Sequence, residues 1–140
     1  MEVPVCANNR EELKLIETFL WVPGKGALDI DLHLERMCKS AGTLKFKFEI
    51  KKIKDQVLKI RSENHLRCRL TLGLGGEINL KTATLNPNSK KWNLCFSDSI
   101  LSSSDPWLLH KSSNRALYDA ERAKLPNGID ELIYLNERSE

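Results

Sequence analysis

The sequence lacks any apolar run that approaches the ~18 consecutive residues of a membrane-spanning helix. It also has few cysteines: the four thiols are scattered and form no Cys-x-x-Cys pair, so the spacings of a zinc site or a disulfide framework are missing. Residues 1–5 lack the basic and apolar regions of a signal peptide. We therefore expect a cytoplasmic protein with no membrane segment, no metal site and four reduced, mostly buried thiols.

Charge of one sign is concentrated in a single segment. Residues 45–61 carry seven basic and two acidic side chains in a chain whose net charge is +3. Apolar residues recur in this segment at helical spacing, which predicts an amphipathic helix with a solvated basic face. They are Ile50, Ile53, Val57 and Ile60. No aromatic residue interleaves the basic ones within that helix, so we expect no nucleic-acid partner.

The first third of the chain predicts a strand followed by a helix. Residues 13–21 form an apolar strand that ends at the turn residues 23–26. Asp29 or Asp31 is placed to cap the helix that follows. The stripe expected to face the core is Leu34, Met37, Ala41 and Leu44. Three polar residues, His33, Arg36 and Ser40, share a neighbouring face of the same helix.

The middle of the chain predicts a three-stranded meander. Residues 65–72 and 77–82 alternate apolar and polar side chains on either side of the glycine-rich loop 73–76. A loop of this kind can hold a phosphate when a helix follows it, but here a strand follows, which favours a hairpin turn. Residues 92–96 are predicted as the third strand of the meander.

The last third predicts a linker and the start of a second domain. Residues 98–104 are serine-rich, and Ser112, Ser113 or Asn114 can cap a helix that ends before the turn at Pro126. A short strand is predicted over 131–135, with a hairpin turn after it. We predict an α+β fold with a small domain over 1–97, a linker over 98–104 and an incomplete larger domain over 105–140, with further residues expected after Glu140.

Lys111 follows the apolar run Trp107–Leu109 and precedes the two serines. Partial desolvation by such neighbours lowers the pKa of an amine and makes it a better nucleophile toward a carbonyl. A lysine that carries pyridoxal phosphate needs this property. The alternative is a surface lysine whose aliphatic stem lies on the core.

Three motifs occur in order and resemble one family. They are Leu-Ile-Glu-Thr-Phe at 15–19, Asp-Leu-His-Leu-Glu-Arg-Met at 31–37, and His-Lys-Ser-Ser-Asn-Arg-Ala-Leu-Tyr-Asp at 110–119. Together they resemble the fold-type IV pyridoxal-phosphate enzymes, also called class IV aminotransferases, and within that family most closely the aminodeoxychorismate lyases. The resemblance implies a fold like that of D-amino acid aminotransferase and a homodimer.

The resemblance also implies roles for individual residues. Lys111 stands where the family has the lysine that binds pyridoxal 5'-phosphate and moves protons, and Arg36 matches the arginine that holds the cofactor phosphate. Arg67 and Arg69 on the polar face of a strand are candidates for a substrate carboxylate, with a solvated sheet face as the alternative. Glu17 and Tyr118 match the motifs but receive no role. Neither Glu137 nor Glu140 stands in the family's context for the partner of the pyridine nitrogen.

The implied reaction is the conversion of 4-amino-4-deoxychorismate to 4-aminobenzoate and pyruvate, a step of folate biosynthesis. A class IV amino-acid aminotransferase is the nearest alternative, and a non-catalytic remnant or a basic interaction module is the alternative of another class. Because the pyridine-nitrogen partner is expected beyond Glu140, the 140-residue chain alone is expected to be inactive.

Overall fold

The computed structural model describes residues 10–86 and 91–140, which form two compact units. The first unit contains residues 10–86 together with Leu109–Ser113, and the second contains residues 91–108 together with Asn114–Glu140. The expectation that residues 1–5 belong to no signal peptide concerns residues outside the described ranges.

An antiparallel sheet of four strands, in the order β2-β1-β3-β4, forms the first unit. Its strands are β1 (Lys14–Val22), β2 (Gly26–Ala27), β3 (Leu66–Gly73) and β4 (Ile78–Thr84). Strand β1 pairs with β3 along nearly its whole length, from Lys14 opposite Gly73 to Trp21 opposite Leu66. The predicted strands and the hairpin are confirmed, whereas β2, which is only two residues long, has no pattern by which the sequence predicts it.

The core of the first unit lies between this sheet and the helix α1 (Ile30–Leu44). All four residues of the predicted stripe are buried. The basic segment forms a shorter helix than its periodicity predicts, α2 (Ile50–Val57), which buries Ile53 and Val57 but leaves Ile50 exposed. Apolar spacing therefore locates both helices but overestimates the length of the second.

The start of α1 differs from the prediction. Asp29 occupies the capping position with a left-handed backbone (φ 52°), but its side chain makes no capping hydrogen bond, and Asp31 lies within the first turn. The carboxylate of Asp31 accepts instead from Lys54 on α2. Aspartate tolerates the left-handed conformation better than most residues, so Asp29 serves the turn through its backbone.

The second unit contains β5 (Leu94–Leu101), α3 (Ala116–Arg122) and β6 (Glu131–Asn136), together with all of the 3-10 helix Pro106–Leu109 except its last residue. Strand β5 pairs in parallel with β6 rather than with β4. The predicted third strand of the meander is therefore wrong, and residues 98–101 of the predicted linker belong to β5. The division into domains at 98–104 stays a prediction.

Two other predictions are corrected by the described residues. The capping position of α3 is Arg115, without a side-chain hydrogen bond, and not a serine or Asn114. Of the described thiols, Cys68 is buried, Cys95 is half-buried and Cys38 is exposed, so they are not mostly buried. Within the described ranges, no helix has the length and apolar character needed to span a membrane.

Candidate functional site

The segment that contains Lys111 lies against strand β1. The main-chain N–H of Ile16 donates to the carbonyl oxygen of Lys111 at 2.8 Å, and that of Ser113 donates to the carbonyl oxygen of Lys14 at 2.9 Å. The N–H of Lys14 in turn donates to Ser113 Oγ at 2.9 Å. Ser112 is buried opposite Leu15. The two serines thus join Lys111 to a sheet that is distant in sequence, instead of capping α3.

Glu17, the neighbour of Ile16, is a buried carboxylate in the same strand, with a side chain that is 1% exposed. A buried charge is tolerated only with close partners. Arg36 makes two hydrogen bonds with it: the Nε donates to Oε1 of Glu17 at 2.7 Å and the Nη2 donates to Oε2 at 2.6 Å. His33 Nδ1 lies 2.7 Å from Oε2. Strand β1 and helix α1 are therefore joined by a network of one acid and two basic side chains.

Arg36 reaches from this network toward solvent. The hydrogen bonds from Arg36 to Glu17 raise the pKa of the guanidinium above its ordinary value, so the group stays charged. The side chain is 48% exposed. A guanidinium has five N–H groups, and the two-point contact with Glu17 uses Nε and one hydrogen of Nη2. The edge formed by Nη1 and the second hydrogen of Nη2 points away from Glu17 and has the shape that binds an oxyanion at two points.

A second contact joins α1 to the lysine segment. Ser40 is buried one turn after Arg36, and its Oγ hydrogen-bonds with His110 Nδ1 at 2.9 Å. Burial lowers the pKa of His110 below its ordinary value of 6.5, which favours a neutral imidazole at neutral pH. His110 directly precedes Lys111, so the helix that carries Arg36 also holds the residue next to the lysine.

Arg67 and Arg69 lie on β3, opposite Leu20 and Thr18 of β1. They alternate with the buried residues of that strand, so they occupy the sheet face opposite to Glu17. Arg69 lines a polar hollow there, whose charged lining residues are Lys14, Arg69, Glu77 and Lys81. The structure thus does not bring the two arginines to the network of Glu17 and Arg36, and their substrate role stays a prediction.

Tyr118 belongs to the second unit, where its ring meets Tyr134 edge to face with centroids 4.9 Å apart. In the same unit, Glu121 of α3 accepts hydrogen bonds from Ser97 and Ser99 of β5. Burial and the neighbouring Glu121 raise the pKa of Tyr134 to about 12. These contacts pack α3 on the parallel strands β5 and β6, and Tyr118 contributes to this packing through its contact with Tyr134.

Comparison with known proteins decides the family. The amino-transferase class IV family profile matches residues 14–140, nearly the whole chain. The chain belongs to the class IV aminotransferases. This family is dependent on pyridoxal phosphate in general. No curated protein sequence matches the chain.

Solved structures share the fold of this class IV aminotransferase chain. A provisionally assigned amino-acid aminotransferase of Mesorhizobium loti is 32% identical with a TM-score of 0.78, over 90% of this chain and 63% of that one. A provisionally assigned 4-amino-4-deoxychorismate lyase of Haemophilus somnus is 23% identical (TM-score 0.63; 90% and 64% covered). One of Legionella pneumophila is 18% identical (TM-score 0.66; 89% and 53% covered). The last two show likeness of fold alone, and the chain spans less than two thirds of each of the three structures.

The sequence predicts no functional role for four residues of the candidate site: Glu17, His33, Ser40 and His110. A pattern for the first was present, because Glu17 occupies a core-facing position in an otherwise apolar strand. A charge at such a position needs a partner, and His33 and Arg36 lie three residues apart on one helix face. Nothing in the local sequence pairs Ser40 with His110, since their contact joins residues 70 positions apart.

Proposed function

We propose that the chain forms part of a pyridoxal-phosphate enzyme in which Lys111 carries the cofactor and Arg36 holds its phosphate. The observation that carries this proposal is that Lys111 and Arg36 form hydrogen bonds with two adjacent residues of β1. Ile16 bonds to the main chain of Lys111, and Glu17 bonds to the guanidinium of Arg36. Two residues that are distant in sequence thus approach one point of the sheet.

The residues present fit the cofactor. Arg36 is charged, half-exposed and offers a second edge to an oxyanion. Lys111 supplies a primary amine, and burial lowers the pKa of the neighbouring His110, which favours the neutral form of its imidazole. When bound, pyridoxal phosphate supplies an aldehyde that takes up amines and a ring that accepts electrons. The roles of the chain are then to anchor the phosphate through Arg36 and to carry protons on the amine of Lys111.

For the reaction, we propose the release of pyruvate from 4-amino-4-deoxychorismate to leave 4-aminobenzoate. The support is the motif at 110–119, which resembles that of the aminodeoxychorismate lyases. Arg67 and Arg69 are proposed to attract the carboxylates of this substrate. In support, Arg69 lines a hollow in which Lys14 and Lys81 outnumber the one lining carboxylate, Glu77. Replacing Arg69 by Gln should then raise KM for the substrate while the affinity for the cofactor stays unchanged.

A second candidate is amino-acid transamination. The 32% identity with a protein provisionally assigned to that activity favours it. The two candidates differ in their need for an acceptor: the lyase forms 4-aminobenzoate and pyruvate from one substrate, whereas a transaminase needs an amino donor and a 2-oxo acid. The full-length native protein should form 4-aminobenzoate without any oxo acid. Turnover only in the presence of both transamination partners would assign the second candidate, and no turnover with either would favour a non-catalytic remnant.

We also propose that the native protein is a cytoplasmic homodimer, as the family resemblance implies. Light scattering during gel filtration of the full-length protein should give twice the monomer mass. A monomer that retains turnover would contradict this assignment.

A further inference from the structure

We propose that Glu17 is a positioning residue, which fixes the guanidinium of Arg36 so that its second edge faces the cofactor phosphate. This inference rests on the proposed function of Arg36. An arginine has four rotatable side-chain bonds, and holding it in place costs conformational entropy when a ligand must do so alone. A partner that fixes the side chain beforehand removes this cost from ligand binding.

The geometry of Glu17 suits such a role. Its carboxylate contacts Arg36 at two points, with distances of 2.7 and 2.6 Å, so both the position and the plane of the guanidinium are set. The side chain of Glu17 is only 1% exposed, so its carboxylate is held by the surrounding core, whereas the side chain of Arg36 is 48% exposed. His33 holds Oε2 from the same helix at 2.7 Å, which constrains the acid further. A phosphate would then meet a guanidinium that is already oriented.

A merely structural ion pair would join β1 to α1 without any effect on ligand choice. The two roles differ in one measurable quantity, the preference of the protein for pyridoxal phosphate over pyridoxal, which lacks the phosphate. Removing a positioning residue lowers this preference and leaves the affinity for pyridoxal nearly unchanged. Removing a structural pair changes both affinities by the same factor.

The experiment measures dissociation constants for both compounds from the absorbance of the bound cofactor, using the full-length native protein. The variants are Glu17→Gln, Arg36→Ala and the double variant. Glu35→Gln is the matched control, because Glu35 lies on α1 in an exposed pair with Lys39. We expect Arg36→Ala to lower the preference by roughly tenfold or more, as for the loss of a hydrogen bond to a charged group. Glu17→Gln should lower it about fivefold or more and add nothing in the Arg36→Ala background.

The outcomes separate the inference from the proposed function. If Arg36→Ala leaves the preference unchanged, the phosphate role of Arg36 itself is wrong. If Arg36→Ala lowers the preference but Glu17→Gln does not, the positioning role is overturned. It is also overturned if Glu17→Gln lowers the preference equally in the native protein and in the Arg36→Ala variant. If Glu17→Gln does not fold, Arg36→Lys replaces it, since an ammonium keeps the charge but cannot offer two edges. Full retention of the preference in Arg36→Lys would overturn the inference as well.

Discussion

The amide nitrogen of Ile16 lies 2.8 Å from the carbonyl oxygen of Lys111, although the two residues are far apart in the sequence. This bond sets the lysine segment beside the strand that carries Glu17. Since Glu17 holds Arg36, one strand orders both the candidate cofactor lysine and the candidate phosphate ligand. The stability of the first unit and the order of the site should therefore be closely coupled.

The packing of α1 on the sheet is tested by two leucines of the same helix. Leu34 is fully buried, whereas Leu32 is 67% exposed. Leu34→Ala should lower the free energy of unfolding by about 2–5 kcal/mol, because it leaves a cavity in the core. Leu32→Ala should change it by less than about 0.5 kcal/mol. Urea denaturation gives both values, and similar losses for the two variants would show that α1 faces the sheet differently.

Ser40 is expected to stabilise the position of the lysine segment. Ser40→Ala removes the partner of His110 Nδ1 at a buried position, so the free energy of unfolding should fall by about 1–2 kcal/mol. The control is Thr43→Ala on the same helix, since the hydroxyl of Thr43 donates to Lys39 at the exposed surface. That change should stay within about 0.5 kcal/mol. Equal losses of unfolding free energy for the two substitutions, measured by urea denaturation, would contradict the expectation that Ser40 stabilises the lysine segment through His110.

His110 should make stability depend on pH. Its pKa in the folded protein is lowered by burial from the ordinary value of 6.5, so just below pH 6.5 the unfolded chain binds a proton that the folded one does not. The contribution of His110 is therefore present above pH 6.5 and is lost as the pH falls toward the lowered pKa. The free energy of unfolding should therefore be lower at about pH 5.5 than at about pH 7.5, and His110→Asn should remove the part of this difference that His110 causes. An unchanged pH dependence in the variant would contradict the assignment.

The parts of the fold that the sequence predicts are those decided by local periodicity. The stripe of α1 and the alternation of β3 give the correct elements, because each pattern shows which side faces the core. The pairing of β5 with β6 depends on a parallel alignment across more than thirty residues, and Trp92–Phe96 alternates equally well as a meander strand. The same limit applies to Ser112 and Ser113, whose polar groups can cap a helix or join a strand edge.

For the site, the sequence motifs select Lys111 and Arg36 through family resemblance, but they do not give the network that holds them. A buried acid such as Glu17 is identified only when its partners are placed in space. For Arg67 and Arg69, the alternation correctly predicts that they lie on the polar face of β3, but periodicity does not tell whether a substrate binds at that face.

The cofactor role of Lys111 is tested by identifying the lysine that binds pyridoxal phosphate. Full-length native protein loaded with pyridoxal phosphate is reduced with borohydride, which fixes the cofactor to the amine that carries it, and the peptides are mapped by mass spectrometry. Lys14 is the internal comparison, because it bonds to the same segment through Ser113. We predict that the pyridoxyl mass lies on Lys111 and that Lys111→Ala abolishes it. Labelling of Lys14 or another lysine, with Lys111 unmodified, would contradict the assignment of Lys111 as the cofactor lysine.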